Sequence, residues 1–257
     1  MAARSELRAM ILAAGRGERL RPLTDTVPKP LVVVGGRPLI DYALERVAGA
    51  GIRRVVINLH HLGHLIRDHV GDGSRFGLAV DYSEEVILQD TGGGIRDARR
   101  YLDGSTFLTL NADTIVDVDL RDLAESHRAS GAIATMLLRK DPQMARFGLI
   151  ETEDDGRVGR FLGQPRPGCH EPLEAYMYTG VQVLEPGVFG YLTGAGPFSI
   201  TKVSYPAMLA AGELVRGRVF DGTWITVGTP AELARADAIL GSRVLPARRW
   251  TTRSVES

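Results

Sequence analysis

The residues able to do chemistry begin close to the amino terminus. Leu12-Ala13-Ala14-Gly15-Arg16-Gly17-Glu18-Arg19-Leu20 continues a short apolar run, and Val27-Pro28-Lys29-Pro30-Leu31 comes soon after. Gly15 and Gly17 carry no Cβ, so backbone N–H groups there can approach an anion closely. Arg19 and Lys29 add two cations: a guanidinium that grips phosphate oxygens in pairs, and an ammonium that acts as a point charge. The combination reads as a cradle for phosphate, or else as a surface turn with two solvated cations. Two familiar cradles are excluded. A dinucleotide fingerprint needs a third glycine, whereas Gly17 is followed by Glu18, Arg19 and Leu20, and the string G-x-x-x-x-G-K-[ST] occurs nowhere.

Two other groups stand out. Asp113 follows an apolar run at Phe107–Asn111, and it fits either a ligand for a hard cation or a cap on the turn before a helix. His60, His61, His64 and His69 crowd one stretch, and His60 and His64 are four apart. Zinc would need both on one helix face with a third ligand, and His60 falls at a strand end, so the four read as a polar face at a sheet edge.

Such residues need rigid elements to hold them. The first half alternates β-branched runs with amphipathic stretches, which predicts strands at Ala9–Ala13, Val55–Leu59, Leu78–Tyr82 and Phe107–Asn111 and helices at Pro38–Gly49, His64–Val70 and Gly94–Leu102. The second half predicts strands at Ile133–Leu138, Leu149–Glu151, Val158–Phe161, Tyr176–Val183, Val215–Phe220 and Trp224–Val227, with helices at Leu120–Ala129, Ile200–Ala211 and Pro230–Leu240. The first half reads as a parallel α/β sheet and the second as more antiparallel. Ligands of open α/β sheets bind at the carboxyl ends of the strands, where Gly15, Arg19 and Asp113 fall.

Composition narrows the function. Among 257 residues, Lys plus Arg and Asp plus Glu number 31 each, so no net charge draws the chain to nucleic acid or to an anionic membrane. No run approaches the roughly 20 apolar residues of a membrane span, and no secretion signal is readable. Cys169 is the single cysteine, which excludes an internal disulfide and fits a cytoplasmic protein. One domain over 1–241 is expected, followed by a basic, poorly ordered tail at 242–257 with four arginines.

The string LAAGRGERLRPLTDTVPKPLVVVGGRPLIDY resembles the signature of the sugar-1-phosphate nucleotidylyltransferases. The likeness continues through Val70–Leu78, Asp90–Ile95, Asn111-Ala112-Asp113, Phe147-Gly148 and Trp224–Pro230, and looks closest to the N-acetylmuramate-1-phosphate uridylyltransferase and mannose-1-phosphate guanylyltransferase members. It implies a Rossmann-like, mostly parallel central sheet with helices on both faces and a smaller antiparallel sugar-binding portion. It also implies a reaction in which a sugar 1-phosphate attacks a nucleoside triphosphate (UTP, GTP or dTTP) and releases pyrophosphate. In that scheme Arg19 and Lys29 neutralise phosphates, and Ala13, Ala14, Gly15 and Gly17 line the nucleotide. Asp113 holds Mg²⁺. Glu84, Glu85, Gly92 and Gly93 read the base, since a carboxylate can accept a ring N–H. Gly148 and Thr179 face the sugar. Relatives range from monomers to tetramers, so a homo-oligomer is an open expectation.

The pattern breaks at two places. Relatives read W-x-D-[IV]-G-[TS], with the aspartate as a second metal ligand, where this chain has Trp224-Ile225-Thr226-Val227-Gly228-Thr229. A neutral hydroxyl is a weaker Mg²⁺ ligand than a carboxylate. That leaves three readings: a metal held by Asp113, phosphate and water; a substitute carboxylate, of which Asp221 is nearest in sequence; or a non-catalytic nucleotide-sugar-binding regulatory paralogue. The second break is Gln164, which stands where many relatives carry a lysine.

Overall fold

The computed structural model describes residues 6–142 and 144–241, and the expected tail at 242–257 lies outside them. The chain opens with β1 (Arg8–Leu12), a hairpin of β2 (Val33–Val34) and β3 (Arg37–Pro38), and α1 (Leu39–Gly49). Next come β4 (Arg54–Leu59), α2 (Gly63–Val70), β5 (Ala79–Glu84), α3 (Asp90–Asp97), α4 (Arg99–Leu102), β6 (Phe107–Asn111), β7 (Thr114–Val116) and α5 (Leu120–Ser130). The second half holds β8 (Ala134–Arg139), α6 (Met144–Phe147), β9 (Leu149–Thr152), β10 (Val158–Phe161), β11 (Gln164–Pro165), β12 (Glu174–Leu184), α7 (Tyr205–Ala210), β13 (Val215–Val219), β14 (Trp224–Thr226) and α8 (Pro230–Gly241).

Among the described residues, ten strands form one sheet in the order β11-β10-β9-β12-β6-β1-β4-β5, with β8 on β12 and β13 on β8. The strands β6, β1, β4 and β5 are parallel, as their βα connections require. Side-chain alternation along β1 sends Ala9 and Ile11 into one layer with α1, α2 and α5. Met10 enters the opposite layer with Ile95, Leu102 and Tyr205. Strands buried on both faces explain the continuous apolar runs of the sequence.

The long strand β12 joins the two halves. Its Val181–Leu184 end pairs antiparallel with β6, its Glu174–Met177 end pairs with β9, and β8 follows its other edge with a register shift between Tyr178 and Gln182. Gly180, at φ +89°, sits in that irregularity, and a Cβ there would lie 2.7 Å from Asn111 Nδ2. Behind the sheet, the Tyr205 hydroxyl donates to Gln182 Oε1 at 2.5 Å, and Gln182 Nε2 donates to Thr109 Oγ1 at 2.9 Å. All three are buried, so the network ties β6, β12 and α7 together without orphaned polar groups.

Two predicted helices are corrected. The one expected at Gly94–Leu102 starts at Asp90 and divides at Ala98, and the one expected from Ile200 opens as a π turn, Ile200–Ser204, before α7. Asp90 takes φ +59° and accepts the Thr91 N–H through Oδ1, a conformation that aspartate tolerates. Strand β7, absent from the sequence reading, is three residues long and pairs with β14. No helix among the described residues is long and apolar enough to cross a membrane.

His127 on α5 is buried, with Nδ1 2.8 Å from Thr135 Oγ1 and Nε2 3.1 Å from Glu185 Oε1. Burial holds its imidazole below the usual histidine range, against the pull of Glu185. The unfolded chain therefore binds a proton near pH 6.5 that the folded protein resists, so stability falls as the pH drops below about 6.5. Urea unfolding at pH 7.5 and 5.5 is expected to give a lower midpoint at 5.5. The difference should shrink in His127→Gln; an undiminished pH dependence in that variant would assign it to another group.

Candidate active site

The loop after β1 is shaped by one left-handed glycine. Gly17, at φ +65°, starts a 3₁₀ turn over Glu18–Leu20, and a Cβ on it would lie 2.9 Å from Thr24 Cγ2 and 3.1 Å from Lys29 Cβ. The Thr24 hydroxyl donates to the Gly17 carbonyl at 2.8 Å, and the Thr24 carbonyl lies 2.8 Å from His61 Nε2. The loop thus doubles back and packs the Lys29 stem beneath Gly17. Gly15 is exposed, with nothing within 4 Å of where its Cβ would be, so its backbone is open to a ligand. Arg19 is exposed too, and its Nη2 lies 2.7 Å from the position of a Cβ on Gly228, just after β14.

Lys29 Nζ donates to Asp113 Oδ2, joining residues 84 positions apart. Both side chains are largely buried, at 12% and 29% exposure, where a charge pair is screened less than at the surface. Asp113 Oδ1 accepts from the Thr114 hydroxyl at 3.2 Å, and its carbonyl accepts the Val227 N–H at 3.1 Å. The β7–β14 register sets Thr226 opposite Thr114, the residue that follows Asp113. One carboxylate with neighbouring hydroxyls fits Mg²⁺ when phosphate oxygens and water complete its shell. Asp221 is exposed. Glu232, not Asp221, shares a cavity wall with Thr226.

That cavity, about 210 Å³, is lined by Asp141, Pro142, Phe147, Trp224, Thr226, Glu232 and Arg235. Phe147 meets Trp224 edge-on at 5.5 Å, and Trp224 Nε1 donates to the Thr179 carbonyl at 2.9 Å. Thr229 and Glu232 cap the start of α8: the Glu232 N–H reaches Thr229 Oγ1, and Glu232 Oε2 accepts the Gly228 N–H at 2.8 Å, one residue before the cap. The Thr179 hydroxyl is buried and donates to the Leu137 carbonyl, so this side chain braces the sheet and is not a free donor to a sugar. Gly148 adopts φ +84° and lies against Leu162.

The residue that sequence reasoning missed is Asn58, at the end of β4. Its Oδ1 accepts the Ala13 N–H at 2.7 Å and its Nδ2 donates to Glu85 Oε1 at 2.7 Å, while Glu85 Oε2 accepts the Gln89 N–H at 2.8 Å. The Ala13 amide is therefore spent inside the protein, and of the two residues that follow, Ala14 is buried and Gly15 is exposed. Glu85 is buried, which pushes its carboxyl above the usual range, and it holds two loops together. Glu84 is exposed and pairs with Arg67 at 2.5 Å. The N–H groups of Gly92 and Gly93 both donate to the Phe198 carbonyl, and the Phe198 ring fills the space of a Gly92 Cβ. The only available clue to Asn58 was a polar residue ending an apolar strand.

The histidines divide among separate partners: His60 with the Glu85 carbonyl, His61 with Thr24 and His69 with Asp41. No group of three His, Cys, Asp or Glu side chains suited to a metal occurs among the described residues.

An open α/β sheet with a glycine loop, two cations and a carboxylate at its carboxyl ends has these groups where such sheets bind ligands. The chain belongs to the nucleotidyl transferase family, whose profile matches residues 8–242. It is 36% identical to the N-acetylmuramate alpha-1-phosphate uridylyltransferase of Neisseria meningitidis serogroup B, over 92% of this chain and 99% of that protein. It is 30% identical to the UTP–glucose-1-phosphate uridylyltransferase of Synechocystis sp. over 86% of this chain, and spans 60% of that longer relative. A Bacillus anthracis structure solved with sucrose superposes with a TM-score of 0.79 at 22% identity, over 92% of this chain and 96% of that one, which shows a shared fold.

Asn58→Ala leaves the Ala13 N–H and one Glu85 oxygen without their buried partner. The expected loss is about 1–3 kcal/mol of stability in urea unfolding. Faster hydrogen exchange at the Ala13 amide should accompany it, and unchanged exchange would refute the bridging role.

Proposed function

We propose that the protein joins a nucleoside triphosphate to a sugar 1-phosphate and releases pyrophosphate. The observation that carries this reading is the Lys29–Asp113 pair, set between an open glycine loop and a polar, aromatic-floored cavity. The chemistry needs no covalent enzyme intermediate. An oxygen of the sugar phosphate attacks the α-phosphorus as the bond to the β-phosphate breaks in line, so catalysis rests on positioning and charge neutralisation.

In this reading Arg19 holds the departing β- and γ-phosphates. Lys29 leaves Asp113 for the α-phosphate and the incoming sugar phosphate as the substrates arrive. Asp113, with the Thr114 and Thr226 hydroxyls nearby, would hold Mg²⁺, which when bound supplies positive charge to the phosphates. Ala14 and Gly15 offer backbone groups to the nucleotide, and the Trp224 cavity takes the sugar. Glu84, paired with Arg67 through Oε1, is the carboxylate read for base contact, because both Glu85 oxygens are engaged and buried. The Neisseria relative makes UTP and N-acetylmuramate 1-phosphate the first substrates to test, with GTP and dTTP next. Both substrate classes are cytoplasmic metabolites, which sets the expected compartment.

The test is pyrophosphate release over a grid of UTP, dTTP, GTP, ATP and CTP against several sugar 1-phosphates with Mg²⁺ or Mn²⁺. Turnover is expected in at least one combination, to be lost in Asp113→Asn and reduced about 100-fold or more in Arg19→Ala. Thr226→Asp should lower the Mg²⁺ concentration needed for half-maximal rate. A blank grid with a folded protein would reject the transferase reading.

A further inference from the structure

A second cavity, about 190 Å³, opens toward the amino ends of β1, β4 and β5, away from the glycine loop and Asp113 at the carboxyl ends. Its walls carry Arg8, Arg54, Arg100, Asp81 and Tyr101 over the backbone of β1 and β4. Arg8 and Arg54 are in register on adjacent parallel strands. Like charges placed directly side by side on a sheet destabilise it unless something neutralises them.

Little in the fold does so. Arg8 Nη1 donates to the Tyr101 carbonyl at 2.5 Å, while its Nε is enclosed without an acceptor. Among the described residues, Arg54 pairs with the exposed Glu6, at 3.4 Å. Arg100 lies over the Tyr101 ring at 4.6 Å and donates to the Tyr101 hydroxyl at 2.5 Å. Asp81 faces the same cavity, and among the described residues no ion pair joins it to Arg8, Arg54 or Arg100.

We infer that this cavity is a binding site for a small phosphate monoester carrying hydroxyl groups. Guanidinium forks match phosphate oxygens, and three arginines line this one cavity. Asp81 repels further negative charge but accepts from a hydroxyl, which favours a phosphorylated polyol over a polyphosphate. The volume lies below the roughly 300 Å³ at which pockets for drug-sized ligands begin, too small for a whole nucleotide. Strand β1 runs from this cavity directly into the glycine loop, so an occupant would bear on the strand that carries the candidate active site.

The test is calorimetric titration of the full chain at low salt with glucose 6-phosphate and, separately, with inorganic phosphate. Wild type and Lys29→Ala are expected to bind alike, with glucose 6-phosphate tighter than inorganic phosphate. Arg54→Ala and Arg100→Ala, both at exposed positions, should weaken binding about tenfold or more with pyrophosphate release unchanged, and Asp81→Asn should tighten inorganic phosphate. Binding kept in Arg54→Ala but lost in Lys29→Ala would move the anion to the carboxyl-end site and overturn the inference. Absence of binding to wild type would overturn it as well, and glucose 6-phosphate no tighter than inorganic phosphate would overturn the hydroxyl contact.

Discussion

The Lys29 ammonium rests against the Asp113 carboxylate, and the surrounding chain is arranged to keep them together. Gly17 must lack a Cβ for the loop to close over the Lys29 stem, β6 must end where it does to deliver Asp113, and β14 must lie on β7 to fix the Asp113 backbone. With one carboxylate facing one ammonium, the local charge is already balanced. In relatives with an aspartate at the position of Thr226, the same ammonium would face two negative charges. The substitution thus changes the electrostatic reference state of the site as well as its ligand count.

Support for the site comes from buried polar bridges and not from the loops themselves. Asn58 joins the β1 loop to Glu85, Glu85 joins that pair to the start of α3, and His60 touches the Glu85 carbonyl. A loop rich in small residues has little packing of its own, so its position is inherited from these bridges. The Thr229–Glu232 cap does the same for the turn against which Arg19 lies.

The parallel half was legible because its strands are buried on both faces and read as unbroken apolar runs; β6 falls where the residues indicated. Arg19, Lys29 and Asp113 could be singled out as candidates because cations and a carboxylate lay beside glycines and a strand end, and the structure brings Lys29 and Asp113 into contact. The roles of Glu85, Gly92, Gly93 and Thr179 were harder to read, since sequence does not reveal whether a polar atom is already engaged. Each of the four has hydrogen bonds inside the protein. The extension of α3 through three glycines escaped propensity because tertiary packing against Phe198 outweighs the helix cost of glycine, about 1 kcal/mol each.

That packing makes the glycine run a property of two distant segments. Residues 90–95 pack beneath the Phe198 carbonyl and ring, and Arg96 fastens the same segment through the carbonyls of Gly194 and Gly196. The two stretches are therefore one inheritable unit, although a hundred residues of chain separate them. A second half with no aromatic ring at position 198 would leave the space above Gly92 unfilled. A crossover between these stretches therefore has to keep the ring and the missing methyl together, just as it has to keep the β6–β12 pairing.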